Sequence, residues 1–350
     1  VKKHAAEIER LVEEGYLFKR KHPDFDLFIY NYTPQTQYEQ NWNEITMQCR
    51  GLVLDTDYNV VARPLSKFFN LGEHEEHEIP NEKFEVFDKL DGSLGLLFWY
   101  MGTPHMATRG SFESDQAKKG VELLKDYAWL RLSSDHTYWF EIIYPQNRIV
   151  VDYGKEEKLV LLGAVHTETG KEVSHDEITE QMGDGFEVVK RHDGIKDFRK
   201  LSEKEEENKE GFVIRFESGF RVKAKFEEYV RLHRIITGIS NKVIWEHLKE
   251  GRPLDELIEK VPDEVYQYVK DTSKHLVDEF NDIKKEAKGI YRVVVSHLEI
   301  GYDRKSFALE ATKHPKHAGI LFAMLDGKDY EPIIWKMVRP TYETPFKVIE

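Results

Sequence analysis

The feature that most constrains this chain is a change of hydrophobic period near residue 226. Up to that point, short apolar runs broken by Gly, Pro and Asp have the texture of strands: GLVLDTDYNVVARPL, FEVFDKLDGSLGLLFWY, YWFEIIY, KLVLLGAV, EGFVIRFES and FRVKAKF. The last keeps a strict period of two. Phe220, Val222, Ala224 and Phe226 fall on one face and Arg221, Lys223 and Lys225 on the other, because successive strand side chains point to opposite sides. Beyond residue 227 the period lengthens. Leu232, Ile235, Ile236, Ile239, Val243 and Ile244 recur at helix spacing, and 263–297 holds one long helical pattern interrupted by Gly289. Shorter helices are expected over 303–313, 317–325 and 331–338. An α+β domain over residues 1–236 and a small all-α domain over 237–350 follow from this change of texture. Within the first domain the N-terminus is an amphipathic helix carrying Ile8, Leu11, Val12 and Tyr16, and 115–132 is a second helix. The charge-dense stretch 196–210 reads as a solvated helix end and a loop.

Composition narrows the class of protein. A single cysteine, Cys49, rules out an internal disulfide framework and a multi-thiolate zinc site. No apolar run approaches the ~18–20 residues of a membrane span, and the charged N-terminus has no apolar core of a secretory signal, so a soluble cytoplasmic setting without membrane partners is expected (the host cytoplasm, were the source viral). The net charge of −13 argues against coating nucleic acid through charge alone, yet it leaves room for a local basic groove. Basic residues of the helical domain, such as Lys249, Lys270, Lys284 and Arg304, are dispersed among acids, so no groove can be drawn there.

Neither common nucleotide cradle, GxxxxGK[ST] or GxGxxG after a strand, occurs in the chain. Lysines and carboxylates placed on strands stand out instead. The segment FEVFDKLDGS reads as a strand running into Lys89, a tight Asp91-Gly92 hairpin turn, and a second strand. Taken singly, Lys89 fits an exposed lysine at a hairpin mouth, and Lys223 and Lys225 fit a solvated edge strand. Other signals are weaker. EHEEHE spaces His74 and His77 by three where a zinc helix needs four, and DTDYN lacks the glycine of a calcium loop and reads as a turn. His314 and His317 in KHPKH read as loop residues, and Ser93 as a phosphate contact or turn stabiliser.

The ordered combination carries more information than any member. Lys89-x-Asp91-Gly92, Glu141 in YWFEIIYPQNRIV, Glu210-Gly211 in EGFVIRF, and Lys223-x-Lys225 resemble the motifs of the covalent nucleotidyltransferase superfamily, which holds DNA ligases, RNA ligases and mRNA capping enzymes. Arg50 in CRGLVLD, Lys67 in ARPLSKFFNLGE, Arg109 in TRGSFESDQA and the FEIIYPQNRIVV segment make ATP-dependent RNA ligases of the phage RNA ligase 1 type the nearest match, over roughly residues 25–230. The resemblance implies a nucleotidyltransferase fold of antiparallel sheets with flanking helices. It also implies three steps: Lys89 attacks the α-phosphorus of ATP and expels pyrophosphate, AMP passes to an RNA 5′-phosphate, and an RNA 3′-hydroxyl displaces AMP. Lys223 and Lys225 are then expected on the α-phosphate, and Arg50, Lys67 and Arg109 on the β- and γ-phosphates. The family usually carries lysine where Arg109 stands. Glu141 is expected on the ribose, Glu210 on Mg²⁺ (Mn²⁺ as a substitute), Asp91 at Lys89 or in the turn, and Tyr32 in the core or on the nucleotide. RNA repair or end joining is the implied role, with tRNA and single-stranded DNA as further candidate substrates.

A free lysine is neutral about once in 2,500 molecules at pH 7, so lowering of its pKa by Lys223, Lys225 and the metal is expected. DNA ligases and capping enzymes follow the last lysine motif with an OB-fold of short strands; the helical period here points away from both. A binding protein that has lost catalysis is the rival of a different class, and the competent residues at every motif position speak against it. The helical domain is expected to serve RNA choice or end positioning.

Overall fold

The computed structural model describes residues 1–201, 203–204, 206–236, 238–258, 263–298 and 301–340. The chain divides into two compact units, Val1–Ile236 and Thr237–Glu350. Thr237 and residues 341–350, which the expected helical domain includes, lie outside the described residues.

Thirteen strands, numbered in chain order, form three sheets among the described residues of the first unit. The first is an antiparallel meander of β1 (Leu17–Lys21), β2 (Leu27–Tyr32), β3 (Arg50–Asp55) and β4 (Val60–Ala62). Two short strands edge the other sheets, β5 (Phe69–Asn70) and β11 (Glu187–Val188). The second sheet runs β11, β10 (Lys158–His166), β9 (His136–Ile143), β7 (Ser93–Tyr100), β8 (Thr103–Ala107). The third runs β5, β13 (Arg221–Lys225), β12 (Gly211–Phe216), β6 (Phe84–Lys89). The class is α+β, as expected.

Alternation decides which face of each sheet is buried. In the third sheet Val86, Phe212, Ile214, Phe216, Val222, Ala224 and Phe226 form one apolar face, covered by Val150, Val151, Phe198, Leu201 and Tyr229. Burying each large side chain contributes roughly 1.5–3 kcal/mol. The opposite face carries Phe87, which packs with Ile143 and Val160 of the second sheet, and in the same alternation Lys89, Lys223 and Lys225. The charged residues therefore sit on the face turned toward the second sheet. That sheet in turn buries Leu97, Phe140, Ile142 and Leu161 against Leu123 and Leu124 of helix Asp115–Leu124 and Ile178 and Met182 of helix His175–Met182.

Three readings change. The helix expected over 115–132 ends at Leu124, with a separate 3₁₀ turn at Trp129–Arg131. No helix forms among the described residues of 196–210; Phe198 and Leu201 are buried instead, so two apolar anchors inside a charged stretch tie it to the third sheet. Strand β13 is interior, flanked by β12 and β5, not an edge. The N-terminal helix forms over Ala5–Glu13 with Ile8 and Leu11 buried.

The second unit is helical throughout its described secondary structure. Helix Asp263–Ser296 runs through Gly289 without a break. Its stripe Val269, Leu276, Phe280, Ile283 and Ala287 packs on Ile244 and Trp245 of helix Asn241–Lys249, on Leu257 and Ile258, and on Ile334 of helix Glu331–Met337. Val294 carries Phe307 and Ala311 of helix Arg304–Ala311 and Leu321 of helix Ala318–Leu325. His317 lies in the turn that leads into the last of these, as expected, and is buried there, 3.2 Å from Glu286. Among the described residues no helix is long and apolar enough to cross a membrane.

Candidate active site

Strand register assembles the site. Gly211, the first residue of β12, stands opposite Lys89 of β6 on one side and Lys225 of β13 on the other. Gly211 has a φ of +146°, and a Cβ there would lie 2.2 Å from the carbonyl oxygen of Ala224. Only glycine allows this approach, and the approach brings Glu210 under both lysines. Glu210 Oε1 lies 2.8 Å from Lys89 Nζ and 2.9 Å from Lys225 Nζ, and the residue is 3% exposed. Burial opposes ionisation of Glu210, but the two ammonium groups outweigh it and hold its carboxyl below the ordinary value. Lys223, two residues back on the same face of β13, is buried and stands level with Asn70 of β5.

The Asp91-Gly92 segment is not a hairpin. Strands β6 and β7 lie in different sheets, so the chain crosses from the third sheet to the second directly after Lys89. Asp91 pins that crossing. Its buried carboxylate accepts from the backbone N–H of Val150 (2.9 Å) and Val151 (2.8 Å) and from the Tyr229 hydroxyl (2.8 Å). Its own N–H donates to the Tyr153 oxygen at 2.9 Å. Gly92 N–H then donates to Glu141 Oε1 at 2.9 Å, and a Cβ on Gly92 would come within 2.6 Å of the Ile142 carbonyl oxygen. The glycine thus lets the lysine-bearing turn press against β9. Burial, with Glu210 adding and Lys89 opposing, pushes the Glu141 carboxyl up to about 8. Ser93 opens β7 opposite Ile142 of β9, and Asn147 donates to its hydroxyl at 2.9 Å.

A second cluster gathers on the first sheet. The Tyr32 ring carries Arg109 on one contact (guanidinium carbon 5.4 Å from the centroid) and Lys67 on another (5.8 Å). Arg109 also donates to the Tyr32 hydroxyl at 3.3 Å. Lys67 is buried among the rings of Tyr32, Trp42 and Phe69. Arg50 stands beside Asn31 in the β2–β3 register and donates to the Leu65 carbonyl at 3.4 Å. Strand β5 links the clusters, since Phe69 touches Lys67 while Asn70 pairs with Lys223. Arg221 stands apart from the other cations of β13, paired with Glu172 at 2.9 Å.

The charged group in contact with Lys89 is the Glu210 carboxylate. Tyr229, Tyr153, Trp42 and Asn147 were not legible as site residues, because each acts through a partner distant in sequence. Among the described residues no group of three His, Cys, Asp or Glu side chains is arranged to hold a metal. Asp55 accepts from the N–H groups of Asp57 and Asn59, making DTDYN a turn.

A family model described as RNA ligase matches residues 48–229. An RNA ligase of Rhodothermus phage RM378 is 26% identical over 92% of this chain and 89% of its own length. A candidate RNA ligase of Thermovibrio ammonificans is 33% identical over 55% of each chain. A candidate bifunctional polynucleotide kinase/RNA ligase of Autographa californica nuclear polyhedrosis virus is 27% identical over 47% of this chain and 27% of that one. The chain therefore spans about half, or less, of the length of these last two relatives. A solved structure of a Naegleria gruberi RNA ligase variant with ATP and Mn is 18% identical over 45% of this chain and 53% of that chain, with a TM-score of 0.38. The family match begins two residues before Arg50 and ends at Tyr229, the phenol that holds Asp91, so it takes in both clusters apart from Asn31, Tyr32 and Trp42, and this chain belongs to the RNA ligase family.

Proposed function

We propose that the protein is an ATP-dependent RNA ligase that joins 5′-phosphate and 3′-hydroxyl ends through lysyl-AMP and RNA-adenylate intermediates. The observation that carries this reading is the junction of Lys89, Glu210 and Lys225 on one sheet face: an amine at a strand end, held by a buried carboxylate and flanked by a second lysine. In the first step a bond forms between Lys89 Nζ and the α-phosphorus, the bond to pyrophosphate breaks, and the ammonium gives up two of its three protons, keeping one N–H in the phosphoramidate. Lys223 and Lys225 are the cations for the α-phosphate. Arg50, Lys67 and Arg109 face the β- and γ-phosphates, with Tyr32 as the platform that orients the last two. Such transfer is mostly positioning and charge neutralisation. Asp91 positions Lys89 by fixing the backbone that follows it, and Glu141 offers a carboxyl to the ribose hydroxyl.

Glu210 is the carboxylate that would be offered to a hard divalent ion keeping most of its water, Mg²⁺ or Mn²⁺. Such an ion supplies charge neutralisation at the phosphates when bound.

Intact mass measurement after exposure to ATP and Mg²⁺ should reveal one added adenylate, absent in Lys89→Ala. A mass that never changes with any divalent ion would refute the reading. The helical unit serves RNA choice or end positioning; a chain ending at Ile236 should keep self-adenylation and lose sealing of RNA ends, and equal loss of both would reject that assignment.

A further inference from the structure

Three separate segments each bring one aromatic ring to Lys67. Tyr32 closes β2, Phe69 opens β5, and Trp42 lies between the short helices Pro34–Tyr38 and Glu44–Gln48. The Lys67 ammonium stands 5.8 Å from the Tyr32 centroid, 5.4 Å from Trp42 and 5.1 Å from Phe69, and the residue is 7% exposed. Trp42 meets both other rings edge to face, 5.0 Å from Tyr32 and 5.4 Å from Phe69, a geometry that aromatic pairs prefer. It is the ring that joins the other two.

Backbone bonds hold the indole and the lysine in one frame. Trp42 N–H donates to the Gln40 carbonyl at 2.8 Å. Asn43, its neighbour, caps the helix Glu44–Gln48 by accepting from the N–H groups of Ile45 and Thr46 at 2.9 Å each. Toward the other end of that helix the Met47 carbonyl accepts from Lys67 N–H at 2.8 Å.

Indole is the strongest cation–π partner among side chains. A ring face attracts an ammonium without adding an opposite net charge to the site, whereas the Glu210 carboxylate beside Lys89 and Lys225 does add one. Aromatic surfaces can therefore orient a cation for a polyanion without competing with it. Trp42 lies outside the residues that the family model matches, and no motif of the chain contains it.

We infer that Trp42 is a positioning residue, which completes a three-ring cage that fixes the Lys67 ammonium for the β- and γ-phosphates. The inference rests on the assignment of Lys67 to those phosphates in the ligase reading.

The test is titration of the full chain carrying Lys89→Ala, which cannot be isolated with AMP attached, with inorganic tripolyphosphate and separately with AMP. Trp42→Met keeps apolar bulk but has no ring face, and should raise the Kd for tripolyphosphate roughly ten-fold. Trp42→Phe, which restores a ring, should raise it about three-fold or less. A trifluorinated indole in place of the Trp42 side chain keeps its shape while draining electron density from the ring face, and should weaken tripolyphosphate binding about three-fold. The Kd for AMP should move less than two-fold in all three. Equal tripolyphosphate Kd values for the Met and Phe variants, or no effect of fluorination, would reduce Trp42 to packing and overturn the inference. Parallel loss of AMP and tripolyphosphate binding would overturn it too, as damage to the fold. Titration needs no catalysis: a wild type that never gains an adenylate refutes the ligase reading, while the order of these Kd values still decides the role of Trp42.

Discussion

Glu141 offers a quantitative test of the site's electrostatics through stability rather than activity. Burial, reinforced by Glu210 and opposed by Lys89, raises its carboxyl from an ordinary 4.5 to about 8. The folded protein therefore keeps a proton that the unfolded chain gives up between those values. Raising the pH across that window draws the proton from the unfolded state alone, so the group costs the wild type stability, at most about 1.4 kcal/mol per pH unit. Above about 8 both states are ionised and the cost becomes constant. Glu141→Gln removes the titration while its amide oxygen can still accept from Gly92 N–H, as Oε1 does at 2.9 Å. The variant should gain on the wild type by about 2–3 kcal/mol between roughly pH 5.5 and pH 7.5. Glu210 does not blur the window: held below its ordinary value, it is ionised in both states throughout. Urea unfolding of both proteins at a series of pH values measures the difference directly. A difference that stays flat across the window would mean that Glu141 is already ionised in the folded protein, and the argument from burial would be wrong.

Two further outcomes follow from the same geometry. Asp91→Ala strands the N–H groups of Val150 and Val151 and the Tyr229 hydroxyl, and should cost about 3–5 kcal/mol of unfolding free energy, whereas Tyr229→Phe, which removes one bond, should cost about 1; equal costs would show that the backbone bonds contribute nothing. Glu210→Gln removes the charge between Lys89 and Lys225 and should slow self-adenylation by about 100-fold or more. Because the Glu210 carboxyl is held below its ordinary value, its stabilisation is present above about pH 4.5 and lost as pH falls through the folded value. Acid unfolding should therefore be steeper in the wild type than in Glu210→Gln, and identical acid profiles would reject the ion pairing.

The amino-acid sequence by itself determined the elements and the chemistry on offer. A period of two in FRVKAKF put Lys223 and Lys225 on one face whatever partner the strand found, and a period near 3.6 after residue 227 gave helices, because both patterns follow from backbone geometry within a few residues. The ordered set from Lys89 to Lys225 marked the family in the same local way. What lies between distant segments was decided by tertiary structure. Asp-Gly after a strand reads equally as a hairpin or as a crossing between sheets, and pairing of β6 with β12 rather than β7 settled it. The same pairing set Gly211 between Lys89 and Lys225 and so gave Glu210 two cations. Tyr229 reached Asp91 from 138 residues away, and Phe198 and Leu201 made a charged stretch into a core wall. A local window holds propensity and side-chain direction; which carboxylate ends beside which amine depends on strand register, a property of the folded chain as a whole.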